Sequence, residues 1–419
     1  MQTKNIINTS LGNIFEWYDY GLFAIYAPLF SKIFFPAHMN YPNIINVFSI
    51  FAIGFLCRPL GALLFGYLGD KRGRAKTLRL SILLIAFPTF IIGLLPTFSM
   101  IGFYATIFLL CVRIWQGICI GGEYSGCLLY LTEIAPRRKR ALFSAFGTIS
   151  ANVGILVSIT IAFILQNTFS IDNLETWGWR IPYLFGGIFA LVIFINRLYL
   201  TETIPFKVLT HKNLIVADPI KIMFKKNYMT LLRLIGMCCM GSTFYCFCVI
   251  FLPYLLENEG NFTNNLTLLL TSIFLICMVA FIPLGAYFCD KVGRKPMLLF
   301  NVAFIITILF INFYLSNSYN ASLLIFVYIL FSLGSAFEQS ATPVAIIENL
   351  PTNVRYTTLS FAYNVANGIF GGTLPFICQW LWSQTSMLGP TLYLVAMAII
   401  TGMIVFFFIN ETSHDSLIY

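Results

Sequence analysis

Long apolar runs separated by short polar connections extend along the whole chain. Each run holds about 20 or more mostly apolar residues, the length that a helix needs to cross the ~30 Å hydrocarbon core of a bilayer. Twelve runs meet this condition, at approximately 11–34, 44–69, 78–98, 103–131, 141–165, 181–200, 230–256, 265–288, 297–315, 321–347, 356–382 and 388–409. The pattern predicts an all-α polytopic membrane protein with twelve transmembrane helices.

Positive residues are concentrated in alternate connections between these runs. Lysine and arginine recur around 71–79, 137–140, 207–226, 291–295 and 355, whereas the opposite connections hold little more than Lys32 and Arg180. Because positive residues are retained in cytoplasmic loops, the bias predicts that both termini are cytoplasmic. We therefore expect a multi-pass protein of the plasma membrane, which in a bacterium is the inner membrane.

Composition excludes most other classes of protein. The 419 residues are 59% hydrophobic and 10% charged, against ~25% charged residues in a soluble domain, which excludes a soluble enzyme, a secreted disulfide scaffold and a disordered chain. The net charge of +9 fits loops that face an anionic leaflet, so we expect no nucleic-acid partner. The eleven cysteines have no CxxC spacing and no histidine nearby, so we expect no metal, no cofactor and no enzymatic activity.

The two halves of the sequence repeat each other. A polar stretch at 201–229 predicts a cytoplasmic linker between an N-terminal six-helix bundle at 1–200 and a C-terminal six-helix bundle at 230–419; its residues 220–226 form either a short surface helix or solvated linker. Four matched sets recur in the same order: 66–74 with 286–294, 133–140 with 348–355, Glu123 with Glu338, and 202–203 with 411–412. Parallel repeats of this kind form alternating-access transporters whose site lies between the halves.

Several motifs resemble those of a known family. The loop that contains Gly66, Asp70, Gly73 and Arg74 is similar to the signature cytoplasmic loop of the major facilitator superfamily. Stretches at 12–20, 58–61, 113–124, 177–182 and 354–375 resemble its metabolite:proton symporters, the branch of proline/betaine, oxoglutarate, citrate and shikimate carriers. The resemblance implies the major facilitator fold, with twelve transmembrane helices in two pseudo-symmetric six-helix bundles.

The same resemblance implies a function. We expect a secondary active transporter that takes up a small organic solute with protons by alternating access, the solute being a proline/betaine-like zwitterion or an organic carboxylate. A drug or metabolite exporter of the same superfamily is the alternative. The expected partners are the solute, protons and the lipid bilayer, and we expect a monomer.

Charged residues inside the apolar runs are candidates for proton coupling, because each costs at least ~2.5–3.5 kcal/mol to insert at bilayer depth. Glu16 and Asp19 lie in the first run and Arg113 in the fourth, whereas the three histidines lie outside the runs. A carboxylate that pairs with a guanidinium in one state and separates from it in another takes up a proton as the pair opens. We assign coupling to Asp19, Arg113 and Glu16; a static ion pair or a role in substrate binding are alternatives for Asp19 and Arg113.

Polar residues near mid-membrane are expected to bind the substrate. Glu123 lies ten residues before Glu133, about 15 Å along a helix, and Glu338 has the equivalent depth, so both are expected in a central cavity as protonation sites or as ligands of a cationic headgroup. Arg58 binds a substrate carboxylate or has a structural role, and the asparagines line the cavity or pack. The predicted set is Arg58, Gln116, Glu123, Tyr124, Glu338, Gln339, Asn364 and Asn367.

The repeated loops are interpreted as gates, with plain solvated basic loops as the alternative. Asp70 is placed to accept hydrogen bonds from backbone donors or from an arginine at a neighbouring helix end, and release of these contacts would open the inward face. Gly73 and Gly293 permit tight turns. The predicted gating residues are Gly66, Asp70, Gly73, Arg74, Glu133, Arg140, Asp290, Gly293, Arg294, Glu348 and Arg355.

Overall fold

A computed structural model describes residues 2–35, 43–258, 262–413 and 417. Within these residues, twelve long helical segments follow one another, and we number them α1 to α12. They are α1 Gln2–Ile25, α2 Asn43–Arg72, α3 Arg74–Leu94, α4 Phe103–Ile134, α5 Arg140–Thr168, α6 Arg180–Arg197, α7 Tyr228–Asn258, α8 Asn264–Val292, α9 Arg294–Leu315, α10 Ala321–Glu348, α11 Arg355–Ala366 with its continuation Gly372–Thr385, and α12 Leu388–Phe408.

Nine of these segments are long and apolar enough to span a membrane, judged over the described residues by length and composition. The three others are α1, α2 and α11. Each of the three contains buried polar side chains within its length, among them Glu16 and Asp19 in α1, Arg58 in α2 and Asn364 in α11. These polar side chains lie inside the protein and not against lipid.

Several helices are interrupted near the middle of the bundle. A short helix, Ala27–Ile33, continues α1 beyond Tyr26, and α4 consists of Phe103–Ile120 and Glu123–Ile134 with two glycines between them. A Cβ atom at Gly121 would lie 2.6 Å from the Ala62 backbone nitrogen, so the absence of a side chain lets α2 approach α4. Wider π-helical turns interrupt α7 at Phe247–Phe251 and α11 at Asn367–Gly371.

The two halves meet along two helix pairs. In the first half α1 packs on α5 and α6 on α3, and in the second half α8 packs on α10 and α7 on α12. Between the halves, α2 packs against α11 and α5 against α8. Large apolar side chains such as Phe185, Tyr314 and Phe376 are exposed on the outside, as expected for a surface that contacts lipid tails.

Gln2 and Leu417, the first and last of the described residues, lie at one end of the bundle. The Gln2 side chain donates a hydrogen bond to the Ile134 carbonyl oxygen, and the Leu417 carbonyl oxygen accepts one from the Thr352 hydroxyl. We call this the terminal end. The segment between α6 and α7 contains two short helices, Ile204–His211 and Pro219–Lys225. The second shows that the helix, and not solvated linker, is the correct one of the two alternatives for residues 220–226. The Asp218 carboxylate caps its N-terminus.

Candidate transport site

A cavity of about 70 Å³ lies between the two halves. Helices α1, α4 and α5 of the first half and α7, α10 and α11 of the second contribute its walls. The lining residues are Trp17, Tyr124, Ser125, Leu128, Ala151, Asn152, Ile155, Cys238, Gly241, Ser242, Tyr245, Glu338, Gln339, Thr342, Pro343, Ile346, Leu359, Tyr363 and Asn367. The volume holds a few water molecules or a small solute.

Four of the predicted substrate-binding residues line this cavity: Tyr124, Glu338, Gln339 and Asn367. Gln339 accepts a hydrogen bond from the Asn152 side chain at 3.0 Å, which joins α5 to α10 across the cavity. Asn367 donates to the Tyr363 carbonyl oxygen at 2.9 Å. The lining therefore combines acceptors, donors and aromatic rings from both halves.

Glu338 is the charged residue of the cavity wall among the described residues. Its side chain is 8% exposed and accepts a hydrogen bond from the Thr342 hydroxyl. No described lysine or arginine forms an ion pair with it. A Cβ atom at Gly241 would lie within 2.7 Å of the Glu338 Oε2 atom. The carboxylate therefore packs against the backbone of α7 at a position that has no side chain.

Aromatic rings surround the same space. The Tyr124 ring lies 4.9 Å from the Tyr363 ring and 5.5 Å from the Trp17 ring, centroid to centroid, and Tyr245 completes the wall. Aromatic faces attract cations electrostatically, and a carboxylate attracts them more strongly. A site with four such rings and one unpaired glutamate suits a positively charged group of a small solute.

Glu123 does not face the cavity, which contradicts the prediction that both symmetric glutamates line it. Its carboxylate accepts hydrogen bonds from both terminal nitrogens of Arg197, one of them at 2.9 Å, and from the Ser81 hydroxyl. Arg197 also donates to the carbonyl oxygens of Leu78 and Thr9 at 2.7 and 3.0 Å. The fully buried pair therefore ties α6 to α1, α3 and α4.

Arg197 is a functional residue that the sequence did not predict. Arg197 is a charged residue inside the sixth apolar run. Because it lies only three residues from the end of that run, the sequence does not distinguish it from an ordinary arginine at the membrane interface. In the second half, the offset of 209 that relates Glu202 to Glu411 places Phe406 at the equivalent position. Glu338 therefore lacks the arginine that Glu123 has.

Three further members of the predicted binding set also lie away from the cavity lining. Gln116 is 1% exposed and donates from its amide to Asp19 while accepting from Arg113, so it belongs to the predicted coupling group. Arg58 lies over the rings of Phe55 and Tyr20, at 4.1 and 5.0 Å from their centroids.

Asn364 is the third of these residues. Its side-chain amide donates to the Gly121 carbonyl oxygen at 2.7 Å, at the interruption of α4, and to the Ser360 carbonyl oxygen at 2.8 Å. The first bond connects the two halves, because Gly121 and Asn364 belong to different bundles. Of the two alternatives for Asn364, this conformation agrees with packing: its amide binds the backbones of Gly121 and Ser360, and the residue is not among those that line the cavity.

Asp19 and Arg113 are close together but are not in direct bidentate contact. The Arg113 Nη1 atom lies 3.9 Å from the Asp19 Oδ2 atom, and Gln116 bridges the two groups. The guanidinium carbon of Arg113 lies 3.3 Å from the centroid of the Phe23 ring. All of these polar groups are buried in the first half, so the pair is separated from bulk water at both ends.

Glu16 is also buried in the first half, at 1% exposure. Its Oε2 atom has no hydrogen-bond partner among the described residues, and the same is true of the Asp19 Oδ1 atom. The structure thus places the three predicted coupling residues in one bundle, outside the lining of the cavity.

At the terminal end, Asp70 caps a helix of the opposite half. Its carboxylate accepts hydrogen bonds from the backbone nitrogens of Tyr356 and Thr357, at 3.1 and 2.9 Å, and from the Thr357 hydroxyl at 2.7 Å. The first turn of α11 begins here, so the carboxylate meets unpaired N–H groups and the positive end of the helix dipole. A Cβ atom at Gly66 would clash with the Thr357 backbone.

The second repeat makes the equivalent contacts in the reverse direction. Asp290 accepts hydrogen bonds from the backbone nitrogens of Ala141 and Leu142, both at 3.0 Å, in the first turn of α5. Arg294 lies 3.1 Å from Asp290, as Arg74 lies 3.2 Å from Asp70. Each half therefore inserts an aspartate under a helix of the other half.

Two shared glutamates complete this end. Glu133 pairs with Arg74 of its own half at 3.3 Å and with Arg355 of the other half at 3.0 Å. Glu348 pairs in the same way with Arg294 and, across the halves, with Arg140, both at 2.9 Å. We call the two aspartates, the two glutamates and the four arginines together the latch; its contacts join the two halves at the terminal end in this conformation.

Gly73 and Gly293 form the turns that begin α3 and α9. Their φ angles are +110° and +113°, a region that favours glycine. A carboxylate caps each turn: Glu202 accepts from the Arg74 backbone nitrogen and Glu411 from the Arg294 backbone nitrogen, both at 3.1 Å.

The two capping carboxylates lie outside the membrane-spanning helices and differ in acidity. Burial raises the pKa of Glu202 above its ordinary value of 4.5. For Glu411, burial alone would act in the same direction, but hydrogen bonds from the backbone nitrogens of Arg294, Ser413 and Lys295 outweigh it and lower the pKa. The same structural position therefore holds a weaker acid in one half and a stronger acid in the other.

Two helical halves, a cavity between them and a closed latch at one end define a transporter of the alternating-access class. The sequence profile of the Major Facilitator Superfamily matches residues 9–375. The chain belongs to this superfamily, whose fold is two six-helix halves and whose members are transporters and not enzymes.

Individual relatives cover nearly the whole chain. It is 29% identical to the proline/betaine transporter of Salmonella typhimurium, over 99% of this chain and 84% of that protein. It is 32% identical to a putative proline/betaine transporter of Staphylococcus aureus, over 99% of this chain and 90% of that protein.

Solved structures share the fold. The proton:xylose symporter XylE bound to 6-bromo-6-deoxy-D-glucose is 18% identical with a TM-score of 0.79, over 98% of this chain and 96% of that one. A partially occluded inward open conformation of XylE from E. coli is also 18% identical, with a TM-score of 0.67 over 99% of both chains.

Proposed function

We propose that this protein imports a small zwitterionic solute, such as proline or a betaine, together with protons. The observation that supports this most directly is the composition of the cavity wall, where Glu338 is the charged side chain among the described residues and lies with four aromatic residues. A quaternary or secondary ammonium group is attracted by both. The cavity polar groups Gln339 and Asn367 are suited to a carboxylate of the same solute.

An anionic organic carboxylate is the weaker of the two expected substrates. Its recognition requires a cation, and Arg58 lies outside the cavity lining, against Phe55 and Tyr20. A net anion in this cavity would meet the Glu338 carboxyl and no lysine or arginine among the lining residues, so the wall offers it no opposite charge. The names of the curated relatives agree with the zwitterionic class.

For proton coupling we assign Asp19, Arg113 and the bridging Gln116. The loose pair at 3.9 Å is buried and separate from the cavity lining. When the pair opens further during the transport cycle, the aspartate loses its cation and takes up a proton, because a bare buried charge is costly. This proposal makes the proton and the solute bind at different places in one conformational cycle.

For orientation we propose that the terminal end faces the cytoplasm. The lysine-rich and arginine-rich connections at 71–79, 137–140, 207–226 and 291–295 lie on this side of the predicted topology. Positive loops are retained on the cytoplasmic side. The latch is then the cytoplasmic gate, and the boundaries 1–200, 201–229 and 230–419, together with a monomeric state, remain part of the same proposal.

The test is transport by the purified protein in lipid vesicles. Radiolabelled glycine betaine and L-proline are offered separately under an inward proton gradient, with xylose and citrate as comparison solutes. We expect accumulation of betaine or proline that a protonophore abolishes. Accumulation that survives the protonophore without a sodium gradient excludes proton symport. Extrusion of preloaded solute under the same inward proton gradient indicates a proton antiporter that exports solute instead.

A further inference from the structure

Two carboxyl groups of α1 lie on the same side of the helix. Glu16 and Asp19 are three residues apart, so their Cβ atoms lie about 5–6 Å from each other. Trp17, which lines the cavity, is rotated by roughly 100° from Glu16 and 160° from Asp19 on a helix of 3.6 residues per turn. The two carboxyls therefore point into the first bundle, away from the cavity wall.

Each of these carboxyl groups has one oxygen atom without a hydrogen-bond partner among the described residues. Glu16 is 1% and Asp19 0% exposed, and neither Oε2 of Glu16 nor Oδ1 of Asp19 has a hydrogen-bond partner among the described residues. Buried polar atoms are nearly always paired with protein or with ordered water. Two unpaired oxygens on adjacent turns suit a proton held by one carboxyl and shared with the other, directly or through one water molecule.

The neighbouring charges are engaged to different extents, since the Nε and Nη2 atoms of Arg113 have no hydrogen-bond partner among the described residues. Glu123 and Arg197, on α4 and α6, bind each other, and Arg58 on α2 lies over aromatic rings. Arg113 on α4 is bonded to Gln116 and lies 3.9 Å from Asp19. These are the charged groups whose fields reach the two carboxyls.

The two carboxyls lie at different depths along α1. The chain runs from the terminal end into the bundle through α1, so Glu16 lies about 4.5 Å nearer that end than Asp19. Glu123 and Arg197 are the charged groups on the terminal side of Glu16, because Arg197 bonds to the carbonyl oxygens of Asn8 and Thr9.

We propose that Glu16 and Asp19 form a two-carboxyl proton relay. Asp19 receives the proton while its pair with Arg113 is open. As the pair closes, the O–H bond of Asp19 breaks and an O–H bond forms on the Glu16 carboxylate, so the negative charge passes from Glu16 to Asp19, where the guanidinium stabilises it. The proton thus advances one helical turn toward the terminal end without entering the solute cavity. This inference rests on the proposed proton coupling and adds a second proton-binding residue to it.

The first experiment measures the protonation of the two carboxyl groups in the absence of any solute. Infrared difference spectra of the purified protein in vesicles, recorded between acidic and alkaline pH, report the C=O stretch of protonated buried carboxyls. We expect two such bands, one absent in Glu16→Gln and the other absent in Asp19→Asn, with the remaining band shifted in each variant because the two groups interact. A spectrum that Glu16→Gln leaves unchanged overturns the relay.

The second experiment separates coupling from binding. In Glu16→Gln, proton-driven accumulation of betaine should be lost while counterflow exchange of betaine is retained, and Glu16→Asp should restore part of the accumulation. Glu123→Gln is the matched control: it lies on the same buried cluster but should lower the yield of folded protein without changing the ratio of accumulation to exchange. Wild-type accumulation in Glu16→Gln contradicts the proposal.

The outcomes also separate this inference from the proposed function. If the wild-type protein transports neither betaine nor proline, the proposed substrate is wrong, whereas the infrared bands still test the relay. If Glu16→Gln does not fold, Glu16→Asp takes its place in the infrared experiment: a shifted first band supports the relay, and an unshifted band overturns it.

Discussion

At the scale of single residues, the two duplicated glutamates have diverged in role. Glu123 is bound by Arg197 and Ser81, whereas Glu338 faces the cavity and has no ion-pair partner among the described residues. The sequence repeat predicts the equivalent depth of the two residues but not this difference, because the arginine that decides it is on another helix. The rotation of a side chain toward a cavity or a bundle is likewise set by packing between distant segments.

Removal of the Glu338 charge should weaken solute binding. In Glu338→Gln the ammonium group loses a charge-assisted contact of about 1.5–3 kcal/mol, so the half-saturating betaine concentration should rise roughly ten- to a hundredfold. The measurement is initial uptake as a function of betaine concentration, with thermal unfolding of the purified variant to show that it is folded. An unchanged half-saturating concentration would show that Glu338 does not contact the solute.

The partner residue should behave in the opposite way. Glu123→Gln leaves the Arg197 guanidinium buried with a weaker partner, and loss of one member of a buried pair costs up to about 3–5 kcal/mol. We expect a large decrease in thermal stability and folded yield, with an unchanged half-saturating concentration in the protein that folds. A stable Glu123→Gln protein with weakened betaine binding would reverse the assignment of the two glutamates.

At the scale of helices, the latch depends on carboxylates placed under helix N-termini. Asp70→Asn keeps the size of the side chain but replaces charge-assisted hydrogen bonds to α11 by neutral ones, which weakens the closed state by about 1–2 kcal/mol. The native Cys238 of the cavity wall should then react faster with a thiol reagent added at the terminal end, in a protein whose other cysteines are replaced. Asp290→Asn, the symmetric change under α5, should have a similar effect; equal labelling rates in all three proteins would contradict the role of both aspartates.

The two capping glutamates predict opposite pH dependences of stability. Because the pKa of Glu411 is lowered, its contribution is present above 4.5 and is lost as the pH falls through its folded-state pKa. Because the pKa of Glu202 is raised, its contribution is present below 4.5 and is lost as the pH rises through its folded-state pKa. On acidification, the stability difference between wild type and Glu411→Gln should shrink and that between wild type and Glu202→Gln should grow, as measured by thermal unfolding in detergent; parallel slopes would be inconsistent with this assignment.

At the scale of the whole molecule, the sequence predicts the fold well and the cavity only in part, and the predicted gating residues contact one another at the terminal end. The helix count, the repeat and the gating residues follow from runs and motifs that are local in the chain. Tyr245 and Tyr363 give no such signal, because 17% of the residues are aromatic and only the assembled bundle places these two beside Glu338. Asn364 and Gln116 are polar residues inside apolar runs, yet both form hydrogen bonds with other protein groups and neither lines the cavity.

The latch consists of two groups of residues that share no member. One contains Asp70, Arg74, Glu133 and Arg355, and the other contains Asp290, Arg294, Glu348 and Arg140. Each group can open without leaving its glutamate unpaired. When the ion pair between Glu133 and Arg355 separates, Glu133 keeps Arg74 of its own half, and in the same way Glu348 keeps Arg294 when it loses Arg140. On opening, only the arginine of the other half loses its ion pair and becomes hydrated, while the glutamate stays paired. This lowers the free-energy cost of the transition.

This arrangement predicts that the two crossing pairs contribute additively to closure. Arg140→Ala and Arg355→Ala should each increase the reactivity of Cys238 from the terminal end, and the double variant should show the product of the two increases, because sites without a shared partner are energetically independent. Lys139→Ala, an exposed neighbour of Arg140, is the control and should leave the labelling rate unchanged. A double variant that reacts no faster than either single variant would mean that the first broken pair already opens the gate, and the latch would then be one cooperative unit and not two.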